Sequence, residues 1–220
     1  MKSEEPEQAL SSFRLHPSSL DSEPGQTPLK DLPSAEATLL DLCRPFSGKD
    51  FAPECVVVQP DQIPTPQDQL LVHHEHMTVV LEKHHGAPVE VHVMEEHLDP
   101  LGDIYTRKIY LTPVGGKKVV EWGVVKLDFR YMEPEVKAEI LAKQLPLGAV
   151  LIKHDVLRRI KPRWFLRFPE AGPVLRLFGR AQAPEHAYGR IGLIYCNEEP
   201  AIELLEIVVN CNQSETSKDP

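Results

Sequence analysis

Between Tyr188 and Val209, in YGRIGLIYCNEEPAIELLEIVV, two runs dense in Ile, Leu, Val and Tyr flank the polar group Asn197-Glu198-Glu199-Pro200. That pattern predicts a β-hairpin with its turn at the polar group. Strand side chains alternate between faces, so Ile202, Leu204, Glu206 and Val208 project to one side, and Ala201, Glu203, Leu205, Ile207 and Val209 to the other. Glu206 therefore has only apolar neighbours on its own face. If that face is the core, lost hydration raises the carboxyl pKa and makes Glu206 a candidate general acid; the alternatives are a solvent-facing carboxylate or one paired with an arginine.

The same reading organises the rest of the chain. Residues 1–34 are rich in Ser, Glu, Pro, Gln and Asp with apolar residues scattered singly, which predicts a disordered acidic arm. Residues 35–66 read as a proline-rich connector with one short helix around Leu39, Leu40, Leu42 and Cys43, and Val56-Val57-Val58 as a short edge segment. The core domain is expected over 67–210, with a frayed tail at 211–220. It opens with a helix running from Gln67 to His85 and stopped by Gly86. Strands follow at Val89–Met94, Asp103–Thr112 and, after the Gly115-Gly116 turn, Lys117–Phe129. Pro134–Gln144 reads as a second helix ended by Pro146-Leu147-Gly148, and Ala149–Arg159 and Trp164–Phe168 as extended segments. The total is an α+β fold: a twisted antiparallel sheet of about six strands with two principal helices.

Composition narrows the function. A net charge of −9 argues against general nucleic-acid binding. No apolar run approaches the roughly 20 residues of a membrane span and the first residues lack a signal-peptide pattern, so a soluble cytoplasmic protein is expected. Cys43, Cys55, Cys196 and Cys211 are widely spaced, which favours reduced thiols over a disulfide framework or zinc knuckle. His73, His74, His76, His84 and His85 crowd one predicted helix without the His-Glu-x-x-His spacing, so a solvated or half-buried helix face is favoured over a metal site. Neither a nucleotide-binding fingerprint nor a serine-hydrolase elbow is present, and no cofactor is expected. Arginines concentrate in the second half, and Arg190, sharing a strand face with Gly192 and Ile194, is the most plausible to point inward towards an organic acid.

Several stretches taken in order resemble the chorismate pyruvate-lyases and the wider chorismate lyase-like superfamily. They are HMTVVLEKHHGAPVEVHV from His76, YTRKIYL from Tyr105, PLG from Pro146, YGRIG from Tyr188 and LLEIV from Leu204. The resemblance covers about residues 70–209. It implies helical flaps over a buried pocket and a cofactor-free elimination of pyruvate from chorismate, or a related aromatic precursor, giving a hydroxybenzoate. It also implies Met77 and Leu147 lining the substrate and Glu206 as the acid, with Glu203 kept open as an alternative. One departure stands out: the family's substrate-binding arginine falls here on Trp122-Gly123, leaving Lys126, Arg107 or Arg190 to take its place. A non-catalytic carrier or sensor of a small aromatic acid is the other reading the resemblance allows.

Overall fold

The computed structural model of the chain describes residues 33–179 and 186–209. The predicted arm therefore lies almost wholly outside the described residues, as does the tail at 211–220. The hairpin is present as β6 (His186–Cys196) and β7 (Glu199–Val208). Its turn is Asn197-Glu198, both at positive φ (51° and 70°), the twist a two-residue connection needs to match right-handed strands; Glu199 and Pro200 already belong to β7.

Around this hairpin stand β1 (Val56–Val58), β2 (Val89–Leu98), β3 (Ile104–Pro113), β4 (Glu121–Asp128) and β5 (Arg158–Pro169). They form one seven-stranded sheet in the order β1-β5-β6-β7-β4-β3-β2, with every pairing antiparallel. The fold is α+β, as the alternation predicts, with the hairpin near the sheet's centre. At that centre Gly189 has no room for a side chain, since a Cβ there would come within 2.5 Å of the Glu206 carbonyl oxygen.

Cross-strand partners share a face, so register sorts the sheet into two cores. One face carries Tyr105, Ile109, Leu111, Val125, Leu127, Ile194, Ile202, Leu204 and Val208. It is covered by α2 (Gln67–Leu71), α3 (Met77–His85), α4 (Pro134–Ala142) and α5 (Leu147–Lys153), which contribute Leu70, Leu71, Leu81, Val136, Ile140 and Leu151. The other face carries Trp122, Val124, Ile191, Leu205 and Ile207 and is closed by α1 (Ala35–Cys43) and α6 (Pro173–Arg176) through Leu39, Leu42, Val174 and Leu175.

Three expectations change. The helix expected across Gln67–His85 is two helices separated by Val72–His76. Ala149–Lys153 is helical within α5, and strand begins only at Arg158; β5 then runs unbroken, but bulged at Arg163, through the segment expected at Trp164–Phe168. The connector supplies α1, whose Leu39, Leu42 and Cys43 are fully buried. Its Val56–Val58 segment does form an edge strand, paired with β5.

Candidate functional site

Glu206 projects from β7 onto the face covered by α2 to α5, and Arg190 is its cross-strand partner on β6. The guanidinium Nε donates to Glu206 Oε2 at 2.5 Å. Its Nη1 donates to the carbonyls of Leu71 at 3.0 Å and His73 at 2.9 Å, and its Nη2 reaches the Glu75 carbonyl at 3.5 Å. Arg190 is inward, as its strand position suggests, but its donors are taken up by one carboxylate and the backbone linking α2 to α3. It is a staple between sheet and cover. The helix breaks at the same place, where the Leu71, His73 and Glu75 carbonyls turn towards Arg190 instead of continuing a helical ladder.

A small cavity of about 50 Å³ lies between this sheet face and the starts of α3 and α5. Its lining includes His76, Met77 and Thr78 from α3 and its N-cap, Leu147 and Gly148 from α5, and Glu121 and Glu206 from the sheet. Met77 and Leu147, the positions implied by resemblance, are thus brought together with Glu206. Gly148 allows it: a Cβ there would lie 2.8 Å from Thr78 Oγ1 and 3.1 Å from the His76 ring, so the two helix starts meet only at glycine.

Glu203 lies on the opposite face, 3.4 Å from Arg163 Nη1. Burial raises its pKa, with Lys126 and Arg163 opposing. Lys126 is also on that face, with Nζ 2.6 Å from Asp41 Oδ2 on α1, so it does not stand in for an arginine at the cavity. Arg107 does lie on the cavity side of the sheet. Its cross-strand neighbour Val125 and the next residue on its face, Ile109, both line the cavity. Arg107 is 0% exposed, and none of its three guanidinium nitrogens has a well-formed hydrogen bond among the described residues, the Tyr105 hydroxyl oxygen being the polar atom beside them. Burial pushes its pKa down, opposed by the neighbouring Tyr105 hydroxyl and Glu96 carboxylate, which are themselves joined by a 2.6 Å hydrogen bond.

The residue that sequence reasoning missed is Glu121. It opens β4, is 3% exposed, lines the cavity beside Glu206, and its Oε2 has no partner among the described residues. Burial first, and the Glu206 charge second, push its pKa well above the ordinary carboxyl range, with Arg190 opposing. One signal was available: Glu121 has the same strand parity as Gly123, Val125 and Leu127, the inward set of β4.

The histidines do not converge. His73 donates from Nε2 to the Leu70 carbonyl and accepts at Nδ1 from the Glu75 amide and Arg190; burial and Arg190 keep its pKa low. His76 accepts at Nε2 from Arg158 Nε at 2.7 Å, and burial together with Arg158 and Arg190 lowers its pKa to about 4. His84 and His85 stack edge to face at the far end of α3. Among the described residues no group of three or more His, Cys, Asp or Glu is arranged to hold a metal ion. None of their helices is long and apolar enough to cross a membrane.

No family model and no curated protein matches the chain. Among solved structures it is similar to PhnF from Mycobacterium smegmatis, at 13% identity over 65% of this chain and 67% of that one, with a TM-score of 0.42. The effector domain of the same PhnF gives 14% identity over 64% and 91%, with a TM-score of 0.42. A GntR-family transcriptional regulator from Bacillus cereus gives 10% identity over 57% and 94%, with a TM-score of 0.37.

Proposed function

We propose that this chain is a small-molecule-binding domain whose ligand carries an acidic group, held on the sheet face beneath α3 and α5. The observation that carries the reading is Arg107. A fully buried guanidinium without a well-formed hydrogen bond is disfavoured, because taking the charge out of water costs several kcal/mol, which the Tyr105 hydroxyl and the Glu96 carboxylate offset only in part. A carboxylate delivered beside Ile109 and Val125 would supply the missing partner in the two-pronged geometry guanidinium groups favour. The solved structures named above include an effector domain; this reading gives the chain a role of that kind on the strength of Arg107, not of the likeness.

The test is calorimetric titration of the full chain with single-ring aromatic acids, benzoate and 4-hydroxybenzoate first, and with chorismate. The expected result is saturable binding that Arg107→Met weakens by about ten- to a hundredfold, the range of a charge-assisted hydrogen bond. Without ligand, Arg107→Met should be at least as stable as the parent, since an apolar side chain replaces an unpaired buried charge. Acid binding that ignores the substitution, or no acid binding at all, overturns the reading.

A second reading, elimination of pyruvate from chorismate, draws on the two carboxyls that face the cavity. Glu206 is held by Arg190, whereas Glu121 has a free oxygen and a raised pKa, so Glu121 is the better placed to give a proton to a departing enolpyruvyl oxygen. Chromatographic detection of pyruvate and 4-hydroxybenzoate, abolished by Glu121→Gln, would establish it; no product from a chain that binds acids leaves the binding role alone.

A further inference from the structure

A second space, a groove of about 570 Å³, opens between the start of α3, the end of α5 and the start of β5. That volume falls within the roughly 300–1,000 Å³ of small-molecule sites. His76 lines both the groove and the sheet-face cavity and is their common wall. On the groove's apolar side stand Val79 from α3, Ile152 from α5 and Leu157 from the turn before β5, all exposed. Aliphatic side chains left in water on one concave surface gain free energy when the apolar part of a ligand covers them.

The same groove holds both signs of charge, and they do not meet. Arg158 is committed on two sides: its Nε donates to His76 Nε2 at 2.7 Å and its Nη1 to the Val156 carbonyl at 3.1 Å, while Nη2 makes no hydrogen bond among the described residues. Asp155, three residues earlier, also lines the groove. Its backbone is left-handed, with φ 50°, just where α5 ends and the chain turns towards β5, a conformation aspartate accepts more readily than most residues. Among the described residues neither Asp155 nor Glu75, the other carboxylate of the lining, forms an ion pair with Arg158 or with any other cation. His74 borders the groove from the α2–α3 link; its Nδ1 donates to the Ile160 carbonyl at 3.2 Å, which leaves Nε2 as an acceptor.

We propose that this groove binds a free α-amino acid with a branched aliphatic side chain, its carboxylate on Arg158 Nη2, its ammonium towards Asp155 and Glu75, and its side chain against Val79, Ile152 and Leu157. An α-amino acid carries both charges on one carbon. Arg158 and Asp155 belong to one short turn, and the Val156 carbonyl draws the guanidinium back onto that turn, so a cation and an anion are offered close together. A simple anion would gain Arg158 but meet two carboxylates, and a simple cation would gain the carboxylates but meet the guanidinium. A ligand with both signs satisfies both. The site is separate from the one proposed around Arg107 and does not depend on it.

Calorimetry of the full chain with L-leucine, leucinamide, 4-methylpentanoate and glycine tests this. Relative to leucine, the other three lack the carboxylate, the ammonium and the side chain in turn. The expected result is one saturable site for leucine, with each of the other three weaker by about tenfold or more. Arg158→Gln should erase the advantage of leucine over leucinamide. Asp155→Asn combined with Glu75→Gln should erase its advantage over 4-methylpentanoate; asparagine suits the left-handed turn, so this variant keeps the fold even if Arg158→Gln does not. Ile152→Ser combined with Leu157→Ser should bring leucine close to glycine, and both positions are exposed, Leu157 at 64%. Circular dichroism verifies that each variant folds. No binding of leucine, a truncated probe bound as tightly as leucine, or a leucine affinity untouched by the two double variants overturns the proposal. Binding of benzoate through Arg107 stands or falls separately.

Discussion

His76 shows how a single side chain couples the cavity to the stability of the protein. It is the N-cap of α3, it is buried, and it accepts a hydrogen bond from Arg158, so the folded protein holds it neutral down to about pH 4. In the unfolded chain a histidine titrates near 6.5. As the pH falls from about 6.5 towards 4, the unfolded chain takes up a proton that the folded one refuses, and stability is lost through that window; above 6.5 it is fully present. Glutamine can accept from Arg158 through its amide oxygen and does not titrate. Comparing urea midpoints of His76→Gln and the parent at pH 7 and pH 5, the difference should move in favour of the variant at pH 5. His73 and His85, also held low, are common to both proteins and cancel. Parallel curves would show that His76 does not carry the effect. The same residue scale separates what the sequence disclosed from what it hid. Glu206 was visible because alternation isolates it among apolar neighbours. Its partner Arg190 and the unpartnered state of Glu121 depend on which residues face each other across strands, information that single-strand parity does not contain.

At the scale of elements, the departure from expectation concentrates where long-range contacts outrank local pattern. Gln67–His85 has a continuous helical stripe, yet Val72–His76 is not helix, and Arg190, more than a hundred residues away, binds the carbonyls of Leu71, His73 and Glu75 at that break. Ala149-Val150-Leu151-Ile152 has the composition of a strand, but Gly148 lets its start nest against Thr78 and His76, and Val150 and Leu151 are fully buried from a helix. Hairpins fared better: the β6–β7 pair, the β3–β4 meander and the β1 edge follow from local turn chemistry and alternation, which tertiary packing reinforced. The staple yields a direct prediction. Arg190→Met leaves Glu206 buried without its cation beside Glu121 and frees the α2–α3 link, and should lower stability by about 3–5 kcal/mol. Adding Glu206→Gln removes the stranded charge and should recover part of that loss. In both variants proteolytic cleavage should appear between Val72 and His76 before the sheet is attacked. A full recovery of stability with the link still protected would mean that Arg190 serves the ion pair alone.

The described residues form one sheet with a core on each side, and the cavity lined by Glu121 and Glu206 lies on one of those sides. The cavity side is built from α2 to α5, which meet the sheet through Leu70, Leu71, Leu81, Ile140 and Leu151 and leave about 50 Å³ open between them. On the other side α1 and α6 close over Trp122, Leu166, Phe168 and Ile207, and Asp41 on α1 holds Lys126 on β4. The strands that carry Glu121 and Glu206 therefore rest on α1, although α1 contributes nothing to the cavity lining. α1 packs on the face of these strands opposite the one that carries Arg107, Glu121 and Glu206. Leu39 is 0% exposed at the middle of that contact. Leu39→Ala should lower stability by about 2–5 kcal/mol, the range for a buried leucine truncation. Because the two cores share one sheet, the loss should appear as a single cooperative transition. Far-ultraviolet circular dichroism reports the strands and fluorescence reports Trp122 and Trp164, both packed in the α1-side core, and their midpoints should shift together by the same amount. If the fluorescence transition moved alone, α1 would be a separable cover, and removing it would leave the cavity side of the sheet folded and able to bind.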